Sequence, residues 1–428
     1  METKKQGKVT IIVGGCYGSE SKGLIVSHLA RTGEYSYAVR TGSIQAGHTV
    51  FHNGKKGVGR TIPVAWVHPD VKLIIGAGAY INPRVLADEI RMIAGITGVT
   101  VGEVRSRLFI DKRAGIHTED HHRIEQESGI HERMGSTGEG CAEAIKDKMG
   151  RGSPMSLFSN TEHAVGYQIV DTVKMLNVAY DNGEKILLEG TQGTLLDLHL
   201  GSYPFVTSRQ TTASAWATES GLSPSLEYEV IMVCRTCPIR VAGNSGPMPD
   251  EIDWPTLTRE LNVKRDVHGL EPLVSEEHLK DFERMERIVA DEWSMPRVPF
   301  TQYTPEMRQQ YSSELVRVHR EVLSRLPQET VHDIMKFFEI TTVTEKLRRI
   351  ARLNMDELKY SVMLNRPDCL ALNFLNYEFP TVGGSKTRAE LMDVPEHDKI
   401  VKYIAGIEDS TGVPVRYVNA EPSCIIEL

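Results

Sequence analysis

The sequence predicts an α/β fold, a central, mostly parallel β-sheet with flanking helices. Three observations carry this: four short runs of Val, Ile and Leu that read as buried strands, helical periodicity between them, and a glycine-rich segment after the first run. VTIIV at 9–13 is the first strand by its β-branched content, and it runs into GGCYGSESKG at 14–23. A helix follows, with Ile25 and Leu29 on one face. VKLII at 71–75 is the second strand. After it, Asn82 as cap, Pro83 at the first helical position and Gly95 as stop bracket a helix carrying Leu86, Ile90 and Ile93. ILLE at 186–189 and EVIMVC at 229–234 are further buried strands. Residues from about 255 to 335 are charged, helix-forming and free of strand signals. There Thr304 and Pro305 open one helix whose Met307, Tyr311, Leu315, Val318 and Val322 recur at helical spacing. No repeat, low-complexity tract or long linker divides the chain. The expectation is one elaborated domain over residues 1–428 with a helical insertion at about 255–335.

A chain of 428 residues that is 40% apolar and 25% charged can bury a large core and is not disordered. Its net charge of −8 argues against wrapping nucleic acid, which needs a basic surface, but permits a local basic pocket for a small anion. No apolar run reaches the length of a membrane span, and the first residues lead into a β-branched run rather than a signal-peptide core. Six cysteines are too sparse for a disulfide scaffold. These features read as a cytoplasmic enzyme that binds neither membrane nor nucleic acid directly.

Residues 14–23 are the most informative. Small residues let backbone N–H groups turn toward phosphate oxygens, the following helix adds its positive end, and Lys22 supplies a point charge. The segment departs from a Walker A motif, since Ser21 stands where that motif has Gly and Gly23 where it has Ser or Thr. The plain alternative is a glycine-rich strand–helix turn. QAGHT at 45–49 puts His48 on a loop, where it could protonate or polarise an oxygen or simply be solvated. GSTGEG at 135–140 and TSRQTT at 207–212 could bind an anion through hydroxyls and amides, or serve as turns. EGTQGT at 189–194 leaves the end of a predicted strand, where open α/β sheets hold ligands.

In order, GSESKG at 18–23, QAGHT at 45–49, GSTG at 135–138, EGTQGTLLD at 189–197, YPFVTS at 203–208 and RVAG at 240–243 resemble adenylosuccinate synthetase. TVTEKLRR at 342–349 is similar to that family's aspartate-binding loop, and matches extend from residue 9 to about 422, weakest in the insertion. The resemblance implies that family's P-loop-NTPase-like fold. It also implies a C–N ligase that uses GTP and Mg2+ to phosphorylate O6 of IMP, then displaces the phosphate with the amine of aspartate. Lys22 resembles the phosphate-contacting lysine, His48 the histidine that helps activate O6, and Gln192 the glutamine at the purine ring. The nucleoside monophosphate is expected on Ser19, Gln45, Ser136, Thr137, Gln192, Thr207, Val241 and Lys346, with Arg151 reaching across from a second subunit of a homodimer. The triphosphate is expected on Gly18, Glu20, Ser21, Lys22, Gly23, Gly47, His48, Thr49, Asn376 and Pro422. Aspartate falls to Val343, Thr344, Lys346 and Arg348, and the metal to Ser19 and Gly47.

Three departures change the implied substrate. Ser19 replaces the family's catalytic aspartate, which abstracts the N1 proton of IMP and ligates magnesium. Serine is shorter and uncharged, so it admits a 2-amino group at C2 and implies a guanine nucleotide. In NFLN at 373–376, Asn376 stands where the family reads GTP with a carboxylate; its amide offers one acceptor and one donor, which suits adenine and so ATP or dATP. Lys346 replaces an arginine near aspartate and ribose and cannot form its bidentate fork, which suits a deoxynucleotide, while Arg348 remains for the aspartate carboxylate. Together the departures resemble the family's bacteriophage branch, which makes the 2-aminoadenine precursor N6-succino-2-amino-2′-deoxyadenylate from dGMP, aspartate and ATP or dATP, here in the host cytoplasm. The group that takes the N1 proton is left between Glu20 and an ordered water. The alternatives are a divergent synthetase acting on IMP with GTP, and a nucleotide-binding regulator without ligase activity. Cys234 and Cys237 form only half a zinc site and read as structural, and HTEDHH at 117–122 reads as solvated or interfacial helix.

Overall fold

The computed structural model describes residues 7–241, 243–340, 346–421 and 423–428. Ten strands form one sheet, named in chain order: β1 (Lys8–Gly14), β2 (Tyr37–Arg40), β3 (Lys72–Ile75), β4 (Leu108–Asp111), β5 (Gln168–Val170), β6 (Lys185–Glu189), β7 (Tyr228–Arg235), β8 (Cys369–Asn373), β9 (Val415–Glu421) and β10 (Cys424–Glu427). Their spatial order is β10-β9-β8-β7-β1-β6-β2-β3-β4-β5, and every pairing is parallel except the last, β9 with β10. The expected mostly parallel sheet with flanking helices is therefore present. Because both faces are covered, the central strands are apolar along their length: Val9, Ile11 and Val13 of β1 join one buried cluster and Ile12 the other.

Helix α1 (Lys22–Thr32) follows β1 and buries Ile25 and Leu29 as expected. Helix α2 (Pro83–Thr97) starts as predicted, with Asn82 Oδ1 accepting from Arg84 N at 3.0 Å and Val85 N at 3.1 Å. It does not stop at Gly95. That glycine stays helical on an open face, costing about 1 kcal/mol against alanine without breaking the helix. The stop is Gly98, whose φ of 78° is the left-handed geometry that ends a helix.

The stretch without strand signals is an array of helices, Trp254–Val267, Glu276–Glu292, Pro305–Gln310, Ser312–Arg325 and Gln328–Ile334. The single helix expected from Thr304 is two. Thr304 caps it, accepting from Met307 N at 3.3 Å, but Tyr311 leaves helical geometry at φ −103° and a second helix begins at Ser312. Leu315, Val318 and Val322 are buried with Trp254, Phe282 and Phe338 in a third core of their own. A small antiparallel sheet of Ile239–Arg240, Arg349–Ala351 and Glu251–Ile252 joins this array to the end of β7. No helix among the described residues is long and apolar enough to cross a membrane.

Candidate functional site

Parallel strands point their carboxyl ends to one edge, and there this sheet gathers its charged residues. Arg40 ends β2, Glu189 ends β6, Arg235 ends β7 and Asn373 ends β8, while β1 opens into the loop before α1. That loop holds positive φ at Gly18 (84°), Ser19 (55°) and Ser21 (65°), a run of left-handed residues that turns consecutive amides to one side. The amides of Ser19, Glu20, Ser21 and Lys22 donate to nothing among the described residues, so they remain for an anion. Gly14 must be glycine, because a Cβ would stand 2.6 Å from the Gln192 carbonyl.

Lys22, Arg40 and Arg235 at this edge each have a carboxylate partner. Lys22 Nζ lies 2.8 Å from Glu20 Oε2 and also donates to the Gln192 carbonyl, both residues being almost fully buried. Glu20 Oε1 accepts from Cys16 N at 2.5 Å, so both its oxygens are engaged inside the loop. As it stands that carboxylate is turned to Cys16 and Lys22, and the Glu20 amide is the group it leaves for a ligand. Arg40 pairs with Glu189, and Arg235 with Glu339. Arg348 has no carboxylate salt bridge among the described residues, and donates to Ile340 O at 3.1 Å and to Ser19 Oγ at 2.6 Å.

His48 is buried rather than solvated. Its Nδ1 stands 2.5 Å from Glu189 Oε1 and 2.9 Å from Arg40 Nη1, and Glu189 Oε2 accepts from Val64 N at 2.7 Å. Burial, with Arg40 beside it, pulls the ring down to about 4. Although burial opposes it, Arg40 and His48 hold the Glu189 carboxylate below its usual range. The proton between them therefore sits on Nδ1, and Nε2 is a bare acceptor near neutral pH. The expected donation to an oxygen needs a second proton, which Arg40 opposes.

Buried side-chain atoms at this edge without a partner among the described residues include Gln45 Oε1, Gln192 Nε2, Asn373 Oδ1 and Arg40 Nε. Buried polar groups are ordinarily paired, so each suits a ligand's donor or acceptor. Gln192 is itself left-handed at φ 53°, its Oε1 accepting from Thr191 Oγ1 at 2.5 Å. Asn373 Nδ2 donates to Glu20 O at 2.6 Å, and its neighbour Asn376 is half-buried in the next turn. Gly47 is exposed, and Thr49 lies with His48 on the strand His48–His52. Gly23 packs so closely that a Cβ would meet His48 Cβ at 2.8 Å.

The remaining expected residues lie on surrounding loops. Ser136 Oγ donates to Glu125 Oε1 at 2.7 Å, and Thr137 is half-buried beside it. Arg60 ties that loop to the QAGHT segment, donating to Ile44 O at 2.6 Å and Glu139 Oε2 at 2.8 Å. Thr207 N donates to Leu196 O at 2.8 Å, and Val241 O accepts from Ser245 Oγ at 2.6 Å. Lys346 is half-buried. Arg151, left-handed at φ 54° after the helix Cys141–Gly150, is exposed and its side chain bonds to nothing among the described residues. Val343, Thr344 and Pro422 lie outside the described residues.

No group of three or more His, Cys, Asp or Glu able to hold a metal occurs among the described residues. Mg2+ keeps much of its water and takes phosphate oxygens; of the two residues expected to meet it, Gly47 is exposed and the Ser19 hydroxyl accepts from Arg348 Nη1 at 2.6 Å. Cys234 and Cys237 are buried free thiols, and His117 donates or accepts at Glu139 O (2.6 Å) and Asn82 Nδ2 (3.1 Å), consistent with structural roles. Sequence reasoning missed Arg40, Arg235 and Glu339, and it quoted Glu189 and Asn373 without a role. For Arg40, Glu189, Arg235 and Asn373 the available signal was a polar or charged residue closing an otherwise apolar strand; Glu339 closes none.

The family model for adenylosuccinate synthetase matches residues 11–162 and 154–378. Adenylosuccinate synthetase of Methanocaldococcus jannaschii is 39% identical over 246 residues, 57% of this chain and 68% of that one. Its Pyrococcus horikoshii counterpart is 36% identical over 244 residues, 56% and 69% of the two chains. Among solved structures, fully ligated adenylosuccinate synthetase from Plasmodium falciparum superposes with TM-score 0.70 at 19% identity, covering 99% of this chain and 100% of that one. Succinoaminodeoxyadenylate synthetase of cyanophage S-2L, bound to dGMP and dATP, gives TM-score 0.66 at 21% identity over 99% and 95%. At those identities both structures speak to the fold.

Proposed function

Because this chain belongs to the adenylosuccinate synthetase family, a family of C–N ligases, we propose that it joins L-aspartate to C6 of dGMP with ATP or dATP. O6 of dGMP attacks the γ-phosphorus, the β–γ bridging bond breaks, ADP or dADP leaves, and N1 gives up its proton. The neutral aspartate amine then attacks C6, inorganic phosphate leaves with O6, the nitrogen gives up one proton, and N6-succino-2-amino-2′-deoxyadenylate remains. The observation that carries this reading is Ser19: a short, uncharged side chain on a left-handed turn, its hydroxyl held by Arg348 rather than by a carboxylate's charge. A small group there leaves space for the exocyclic amine of guanine. The cyanophage protein of the same fold, which holds dGMP and dATP, supports the choice of purine.

Lys22 and the loop amides would bind the transferred phosphoryl, where Mg2+ supplies charge neutralisation beside the Gly47 carbonyl and Ser19 hydroxyl. Gln192 Nε2 suits an acceptor on the purine. The bare Nε2 of His48 is the buried base left for the N1 proton, since Glu20 is engaged at both oxygens. Arg348, without a carboxylate of its own, suits that of aspartate. Exposed Arg151 would reach the 5′-phosphate in a second subunit of a homodimer.

The test is aspartate-dependent phosphate release with dGMP or IMP as acceptor and ATP, dATP or GTP as donor. Turnover with dGMP and an adenine triphosphate supports the reading, and turnover with IMP alone overturns it. Relatives that are adenylosuccinate synthetases at 36–39% identity favour the second reading, a divergent enzyme acting on IMP. Silence in every combination would favour a nucleotide-binding regulator.

A further inference from the structure

We propose that Arg235 is a positioning residue that locks the phosphate loop and the amino-acid-binding arginine into one unit. The proposal rests on the ligase reading and deepens it. Arg235 is buried at the end of β7, opposite Asn373 in the ladder. The two side chains hold consecutive carbonyls of the loop: Arg235 Nη1 donates to Ser19 O at 3.0 Å and Asn373 Nδ2 to Glu20 O at 2.6 Å. Fixing the carbonyls on the sheet side keeps the amides of the same peptides turned away from it.

The other arm of Arg235 reaches the base of the segment that carries Arg348. Nη2 bonds Glu339 Oε1, which also accepts from Tyr377 Oη at 2.6 Å, and Nε donates to Cys237 O at 2.9 Å. Glu339 in turn accepts through its backbone from Arg348 N at 2.9 Å, and Ile340 pairs with Leu347 beside it. Arg348 then returns to Ser19, this time to the hydroxyl. Two arginines thus hold Ser19 from both ends, and only Arg235 also sets where the second is rooted. Its guanidinium lies 3.8 Å over the Phe374 ring, which fixes its plane. A lysine could not make the three separate contacts of that fork.

The tests are Arg235→Lys and Tyr377→Phe, assayed for the KM of aspartate and of the triphosphate with whichever purine the wild type turns over. Arg235→Lys should raise both KM values about tenfold, the effect of a lost charge-assisted bond. Tyr377→Phe, which touches Glu339 but not the phosphate loop, should raise the aspartate KM a few-fold and leave the triphosphate KM within about twofold. Glu339→Gln combined with Arg235→Lys should be less than additive for aspartate, because both act through one pair. A residue that merely supported the fold would lower Tm and leave both KM values unchanged, and that outcome overturns the proposal. So would a Tyr377→Phe enzyme whose two KM values moved equally; this variant decides the matter should Arg235→Lys not fold. Failure of dGMP as acceptor would reject the substrate reading alone, since the ratios can be read with IMP. With neither purine active, calorimetric Kd values for aspartate and a non-hydrolysable triphosphate give the same two ratios.

Discussion

Nδ1 of His48 lies 2.5 Å from Oε1 of Glu189 and 2.9 Å from Nη1 of Arg40, which itself bonds that same carboxylate oxygen. Burial and Arg40 keep the ring neutral at physiological pH although Glu189 opposes them, and the free nitrogen lies outside the cluster. His48 stays neutral in the folded chain down to about 4 because it is buried beside Arg40, whereas in the unfolded chain it charges below about 6.5. Its contribution to stability is therefore present above about pH 6.5 and lost as pH falls through about 4. Comparing urea unfolding of the wild type with His48→Asn should show a gap that changes by up to about 3 kcal/mol over that window. If His48 takes the N1 proton, kcat/KM should stay flat from pH 8 to about 5 and fall below it. A profile breaking near pH 6.5 would contradict the buried pairing.

Lys22 and Glu20 form a pair whose members are 2% and 0% exposed. Lys22→Met should lower phosphate release about a hundredfold or more, as expected for a charge acting on the transferred group. It should also cost about 3 kcal/mol in urea unfolding, because Glu20 is left buried without its cation. Adding Glu20→Gln should recover much of the stability and none of the activity.

Ser19→Asp places a carboxylate where the present hydroxyl meets Arg348. The larger charged group crowds the 2-amino position and draws the guanidinium intended for aspartate into an ion pair. Use of dGMP should fall about tenfold or more in kcat/KM, and the aspartate KM should rise. Unchanged dGMP turnover would refute the steric account.

Arg151→Ala should impair turnover while leaving the fold intact, since the side chain is exposed and bonds to nothing among the described residues. Mixing it with Lys22→Met enzyme tests whether sites are shared. In a dimer with crossed arginines, each mixed pair contains one site with both groups intact, so activity should return on mixing. No recovery, with subunit exchange verified, would place Arg151 outside the site.

The triphosphate base should be read at the end of β8. Asn376 is the residue expected from the sequence, yet Asn373 is the one with a buried, unpartnered oxygen. Replacing the base-reading asparagine with aspartate should shift preference from ATP toward GTP by about tenfold or more, because a carboxylate pairs with the two donors of guanine. Asn376→Asp and Asn373→Asp, compared in donor competition, identify which residue does so.

Four of the ten strands of the sheet were legible, those whose β-branched or aliphatic runs are buried on both faces; the other six were not. Helix ends were legible where a side chain caps them, as at Asn82 and Thr304, and misread where only backbone geometry decides. Gly95 and Gly98 differ in φ, not in composition, and Tyr311 breaks a run whose apolar spacing continues across it. Lys22, His48 and Gln192 stood out by their motifs. Their partners did not: Arg40 and Glu189 are 149 residues apart, and Arg235 and Glu339 are 104 apart, brought together only by strand order and the small sheet. Local spacing carries no information about such pairs.

The helical array shares its core with Cys237, Ile239, Ile350 and Tyr377, the residues on which the amino-acid arm is built. The phosphate loop instead springs from the centre of the sheet, where β1 lies between β6 and β7. On warming, these two foundations need not yield together. A satellite core gives way before a two-sided sheet, so an ageing or heated enzyme would lose its grip on the incoming amine while still clasping nucleotide, and idle rather than collapse.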